Sequence, residues 1–253
     1  MLMLFLAAVL LTSSPLNLSA QVRARDVGIR TPDGTILRAS YFSPGKPGPA
    51  VLLLHQCRLD RHAWDGLAAD LTSSGMHVLA FDYRGYGETT GKLPPPPQSL
   101  PHDTKTKFSS TISGSWIGHK DVELAYVYLS SLEGVDKRRM AAGGASCGAG
   151  FAADLSIRHP EMRALFLMSG QISGAAAAHI AATSWLPVFG AAARGDMPIA
   201  YEGLQAAIAT SKNPKSMMKM YAGVRHGVEM FRDHPELPAV ITTWLENVLG
   251  KDR

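Results

Sequence analysis

Met140-Ala141-Ala142-Gly143-Gly144-Ala145-Ser146-Cys147-Gly148 is the stretch that decides how this chain is read. The apolar run Met140-Ala141-Ala142 leads into Gly144-Ala145-Ser146-Cys147-Gly148, which fits the pattern G-x-S-x-G. A small-residue helix candidate follows, from Phe151 to His159. Strand, sharp turn and helix in that order are the context of a nucleophile elbow. A serine hydroxyl is a weak nucleophile and must be held exposed where a base can reach it. Bulky neighbours clash at such a turn, which explains the flanking glycines. The alternative is a Gly/Ala-rich turn without chemistry. In a chain with 24 glycines the pentapeptide alone does not separate the two. The surrounding sequence does.

Outward from the elbow, strands and helices alternate. Residues 22–30 and 35–43 read as strands around the turn Pro32-Asp33-Gly34, and Ser43 to Pro49 as a Pro/Gly loop. Ala50 to Leu54 is a continuous apolar run, as expected of a strand buried on both faces. Trp64, Leu67, Ala68 and Leu71 recur at helical spacing, and Gly75 supplies a stop. His77 to Phe81 is the next strand. Val122, Ala125, Leu129 and Leu132 mark a helix closed by Gly134. Further strands are expected at 165–168, 188–191 and 217–221, and helices at about 198–211 and 236–249. This alternation implies an α/β fold with a mostly parallel central sheet and helices on both faces. Ligands then bind at the carboxyl ends of the strands.

Polar residues stand at those ends. Ser146 follows one strand, Asp196 follows the strand at 188–191, and His226 follows the strand at 217–221. His226 is the expected base for Ser146, and Asp196 the carboxylate that fixes its tautomer. His234 is a rival histidine, set in what reads as a helix-entry loop. Glu202 is a rival carboxylate. Acyl transfer also needs two N–H groups aimed at the developing oxyanion. Cys147, directly after the serine, is one expected donor. Cys57, in the loop His55-Gln56-Cys57-Arg58, is the other.

With these residues in hand, the chain resembles the α/β-hydrolase superfamily over about residues 35–250, and within it the dienelactone hydrolase-like and small serine esterase branches. The order Ser, Asp, His is that of the family. Asp82-Tyr83-Arg84-Gly85-Tyr86-Gly87 is similar to its D-x-R-G-x-G turn, and His55-Gln56 sits where the family usually has His-Gly. The resemblance implies a Ser146-His226-Asp196 triad acting on carboxylic esters, and by extension lactones or thioesters. A peptidase on the same fold, or a non-catalytic binding protein that keeps the pocket, stays open. Gln56 in place of glycine implies a narrower or less flexible oxyanion loop. Ser146 replaces the cysteine nucleophile of true dienelactone hydrolases. The short segment between Met168 and Pro187 leaves no room for a large lid domain. The long loop from Thr89 to Trp116 carries Pro94 to Pro97, an extended and stiff run that reads either as a rim over the site or as a surface segment.

Composition bounds the rest. The chain has 253 residues, enough for one α/β domain over 21–253. Its net charge of +4 is scattered without a Lys/Arg-rich run, so a small-molecule substrate and no nucleic acid is expected. No His/Cys/Asp cluster has ligand spacing, so neither a metal nor another cofactor is expected. Residues 1–20 lack Asp, Glu, Lys and Arg, and Leu2 to Leu11 is wholly apolar. A run this short does not span a bilayer and fits the core of a signal peptide cleaved after Ala20. An uncleaved anchor or a buried strand is the alternative. A secreted or periplasmic location, with no membrane span left after cleavage, is the expectation. There the two cysteines, Cys57 and Cys147, would either form a disulfide across the oxyanion hole or line the cleft as thiols.

Overall fold

A computed structural model describes residues 24–89 and 116–250. The leader expected at 1–20 and the prolines at 94–97 lie outside the described residues. The strands are β1 (Arg25–Arg30), β2 (Ile36–Phe42), β3 (Gly48–Leu54), β4 (His77–Phe81), β5 (Val135–Ala145), β6 (Ala164–Met168), β7 (Val188–Ala193) and β8 (Met217–Tyr221). They form one eight-stranded sheet in the order β1-β2-β4-β3-β5-β6-β7-β8. β1 and β2 pair antiparallel, as do β2 and β4, and every later pairing is parallel. The helices are α1 (Asp65–Ser73), α2 (Trp116–Ser131), α3 (Cys147–Arg158), α4 (Gly174–Ala182), α5 (Glu202–Ala209), α6 (Met230–Asp233) and α7 (Leu237–Leu249).

The continuous apolar strands are explained by two cores, one on each face. Side chains alternate along a strand. Leu52 and Leu54 of β3 therefore join the core under α2, α3, α4 and α5, built from Val122, Leu129, Phe151, Ile180 and Leu204. Val51 and Leu53 join the opposite core with Leu67 and Leu71 of α1 and Ile241 and Leu245 of α7. A strand so placed has no solvent face, which is why Ala50 to Leu54 carries no polar residue.

Several elements differ from the sequence reading. β5 starts at Val135, not Met140. Its charged first half, with Lys137 and Arg138 exposed, runs past a register shift against β3 between Gly48 and Ala50, so it carries no burial pattern to read. That pairing also draws Gly48 and Pro49 out of the expected loop and into β3. The helix expected at 198–211 is split into a 3₁₀ turn, Pro198–Ala200, and α5. α4 was not foreseen. It forms because the Ser173 hydroxyl caps it, accepting from Ala176 N–H at 3.0 Å, ahead of an alanine run. Between β6 and β7 the nine residues of α4 are the only helix, so no large lid domain is inserted there.

Candidate active site

Ser146 stands between β5 and α3 with φ 55° and ψ −121°, in the left-handed half of backbone space that a non-glycine residue adopts only under constraint. The constraint is visible. Its N–H is held by Met168 O of β6 at 2.8 Å, and its carbonyl starts α3 by accepting from Ala149 N–H at 3.0 Å. The flanking glycines are there for space. A Cβ on Gly144 would lie 2.2 Å from Gly148 O, and one on Gly148 would lie 2.1 Å from Leu54 O. Any larger residue would push α3 off the sheet.

Asp196 lies in the turn after β7, and His226 five residues beyond β8. His226 Nδ1 sits 3.0 and 2.9 Å from the two carboxylate oxygens of Asp196. The carboxylate is almost wholly buried and also accepts Met197 N–H at 2.7 Å. With Nδ1 donating to Asp196, the other ring nitrogen is the one left as base. Ser146 and His226 line one cavity of about 380 Å³, together with Cys57, Cys147, Ile172, Met197 and Ile199. The rivals are elsewhere. His234 Nε2 bonds Ala222 O at 2.8 Å, and Glu202 is exposed at the first position of α5.

Cys57 and Cys147 are joined by a disulfide, their Cα atoms 5.9 Å apart. Of the two alternatives left open by sequence, the bridge is the one formed. Among the described residues neither cysteine N–H has an acceptor. Cys147 N–H is also the first in α3, where no intrahelical partner exists and the helix dipole is positive. The loop that carries Cys57 is pinned by its neighbour. His55 is fully buried, its Nε2 accepts Tyr83 N–H at 3.2 Å, and its Nδ1 therefore donates to Gln56 O at 2.9 Å. Burial pushes the His55 pKa below the ordinary histidine value, which keeps this neutral tautomer. Because the peptide is trans, fixing Gln56 O on one side turns Cys57 N–H to the other.

The sequence reading named Gln56 only as a bulkier residue where glycine is usual. The structure shows its side chain turned away, with Oε1 accepting Val228 N–H at 3.1 Å. No local signal could have revealed this, since the partner is 172 residues distant.

Comparison with known proteins agrees with this fold. Residues 49–200 match the family model of the alpha/beta hydrolase fold. The chain belongs to the α/β-hydrolase fold family. An uncharacterized protein of Mycobacterium tuberculosis is 32% identical over 166 residues, 65% of this chain and 51% of that protein. The chain thus spans about half the length of the curated relative. Among solved structures, the Pyrococcus furiosus esterase Pf2001 aligns with a TM-score of 0.70 at 18% identity, covering 96% of this chain and 97% of the esterase. The dienelactone hydrolase of Anabaena variabilis aligns with a TM-score of 0.62 at 15% identity, covering 90% and 99%. At these identities the likeness is one of fold.

Proposed function

We propose that this α/β-hydrolase is a serine hydrolase that cleaves carboxylic esters through an acyl-enzyme on Ser146. One observation carries the reading. A strained serine, a histidine oriented by a buried carboxylate, and two cysteines with unengaged backbone N–H groups line one cavity. In the first step His226 Nε2 takes the hydroxyl proton as Ser146 Oγ attacks the ester carbonyl. Asp196 stabilises the imidazolium that forms. Cys57 and Cys147 N–H groups receive the oxyanion. The tetrahedral intermediate collapses, and His226 returns the proton to the departing alkoxide. Water then repeats the sequence on the acyl-enzyme and releases the acid.

The cavity supports a substrate of small or medium size. Ile172, Met197, Ile199 and Ala200 give it an apolar wall suited to an acyl chain. Lactones and thioesters need the same chemistry. The disulfide supports an oxidising compartment, secreted or periplasmic, in keeping with the leader expected at 1–20. Among the described residues no helix is long and apolar enough to cross a membrane.

The test is a fluorophosphonate probe followed by a panel of aryl esters of graded acyl length, lactones, thioesters and peptide amides. Labelling at Ser146 with fastest turnover of short and medium esters is expected. A folded protein that takes no label is a binding protein, and faster cleavage of the amides makes it a peptidase. Either result overturns the esterase reading.

A further inference from the structure

The turn after His226 needs an N-terminal cap that its own residues do not supply. Gly227–Glu229 is a 3₁₀ turn with His226 at the capping position, and the His226 side chain makes no cap because its ring is committed to Asp196. The first N–H groups of such a turn have no partner within it. Gln56 fills one of these places from the other side of the site, through the bond from Val228 N–H to Oε1. Gln56 is 8% exposed, so this bond is shielded from water. The fit is close. Gly227 has φ 58°, and a Cβ there would lie 2.1 Å from Gln56 Oε1. At its backbone the same residue accepts from His55 Nδ1 at 2.9 Å and from Leu59 N–H at 3.2 Å.

Three successive residues therefore fasten one loop at three places. The His55 ring bonds the exit of β4 at Tyr83, Gln56 bonds the His226 turn, and Cys57 bonds the elbow through the disulfide. We propose that Gln56 is a positioning residue: through Val228 it ties the loop bearing one oxyanion donor to the turn bearing the general base, so that donor and base keep one mutual geometry. This rests on the hydrolase reading above. Gln56 touches no reacting atom in this account. It acts through His226 and Cys57, and its effect belongs in kcat rather than in substrate binding.

The experiment compares Gln56→Met, which keeps length and loses the acceptor, with Gln56→Glu, which keeps an acceptor oxygen. Both are read by kcat and KM on an aryl ester and by hydrogen exchange at the Val228 amide. Gln56→Met is expected to lower kcat by about 10- to 100-fold with KM little changed, the scale of a misplaced catalytic group. Val228 exchange should accelerate in the same variant. Gln56→Glu should restore most of kcat and the slow exchange. Wild-type kcat in Gln56→Met overturns the proposal, as does equal damage in both variants. Should Gln56→Met fail to fold, Gln56→Glu decides alone, with retained kcat and slow exchange supporting the tether and lost kcat overturning it. An inert wild-type protein overturns the hydrolase reading and the positioning role with it. The exchange at Val228 still separates that case from one in which the tether itself is absent.

Discussion

Two sets of strand ends lie side by side on this sheet, and they use the same residue types in opposite ways. At the exit of β4, Asp82 is fully buried and both of its carboxylate oxygens are engaged. It accepts Arg61 N–H at 2.7 Å, the Arg61 guanidinium, and Glu88 N–H at 2.9 Å. Arg84 next to it is closed off by Asp121 at 2.6 Å and by Asp33. At the exits of β3, β5 and β8, by contrast, Cys57, Ser146, Cys147 and His226 line a cavity, and among the described residues neither cysteine N–H has an acceptor. A saturated buried charge holds the fold together, and an unsaturated polar group beside a cavity is available for chemistry. Both Asp82 and Asp196 follow strands, yet the sequence reading gives the carboxylate role to Asp196 and leaves Asp82 to the D-x-R-G-x-G turn.

The largest expected effect tests the unsaturated side. Ser146→Ala should lower ester turnover on the order of 10³-fold or more and leave the unfolding midpoint in place. Asp196→Asn should cost less, on the order of 10²-fold or more, by disturbing the His226 tautomer. Glu202→Gln should be silent. A damaging Glu202→Gln beside a mild Asp196→Asn would transfer the carboxylate role and break the comparison at its centre.

On the saturated side the effect moves from rate to stability. Asp82→Ala strips a buried partner from Arg61, a change that costs about 3–5 kcal/mol for buried pairs. Urea denaturation should show this loss, while kcat per folded molecule stays close to wild type. A variant that keeps its stability but loses kcat would show that the β4 exit belongs to the chemistry after all.

The disulfide joins both regimes, since it is a structural bond between the two residues whose N–H groups are the proposed oxyanion donors. Closing a loop across 90 residues of sequence, it should contribute about 2–4 kcal/mol. Alkylation of the unfolded protein should give no label without reductant and two with it. Reduction of the native protein should lower stability by that amount and kcat by a smaller factor, because Gln56 and His55 still hold the loop. Two labels without reductant would remove the bridge from the account.

What was legible in the sequence follows the same division. The sheet could be read because strands buried on both faces are apolar runs, as in Ala50 to Leu54 and Val78 to Phe81. The Asp196–His226 pair could be placed because α/β folds put ligand groups at strand ends. The charged start of β5 was not legible, because Lys137 and Arg138 face solvent and leave no pattern. The start of α3 at Cys147, ahead of Phe151, was hidden by glycines and alanines that suit a turn as well as a helix. The cysteines left two readings open, because spacing does not give side-chain direction. Long-range hydrogen bonds such as Gln56 to Val228 have no sequence signature at all.

The smallest expected effect is a pH dependence of stability carried by three histidines, His55, His77 and His119, the first two at opposite ends of neighbouring strands. His55 follows β3 beside the site. His77 opens β4 at the opposite end of the strands, bonded to Tyr41 Oη at 2.6 Å and to Lys46 O at 3.1 Å. Burial lowers all three pKa values. The unfolded chain therefore takes up protons near the ordinary histidine value, about 6.5, that the folded chain refuses. Stability should be full above that value and fall as pH drops from it toward the lowered folded values. Urea midpoints measured from pH 8 downward should begin to decline there, before the carboxylates titrate. His77→Gln should flatten part of the decline and leave kcat unchanged. The remaining part belongs to His119, whose pKa burial also lowers, and to His55, whose protonation removes the acceptor for Tyr83 N–H and loosens the loop bearing Cys57. Ester turnover in His77→Gln should therefore keep the acid sensitivity of the wild type. A His77→Gln variant with the full wild-type decline in stability would show that this end of the sheet carries none of it.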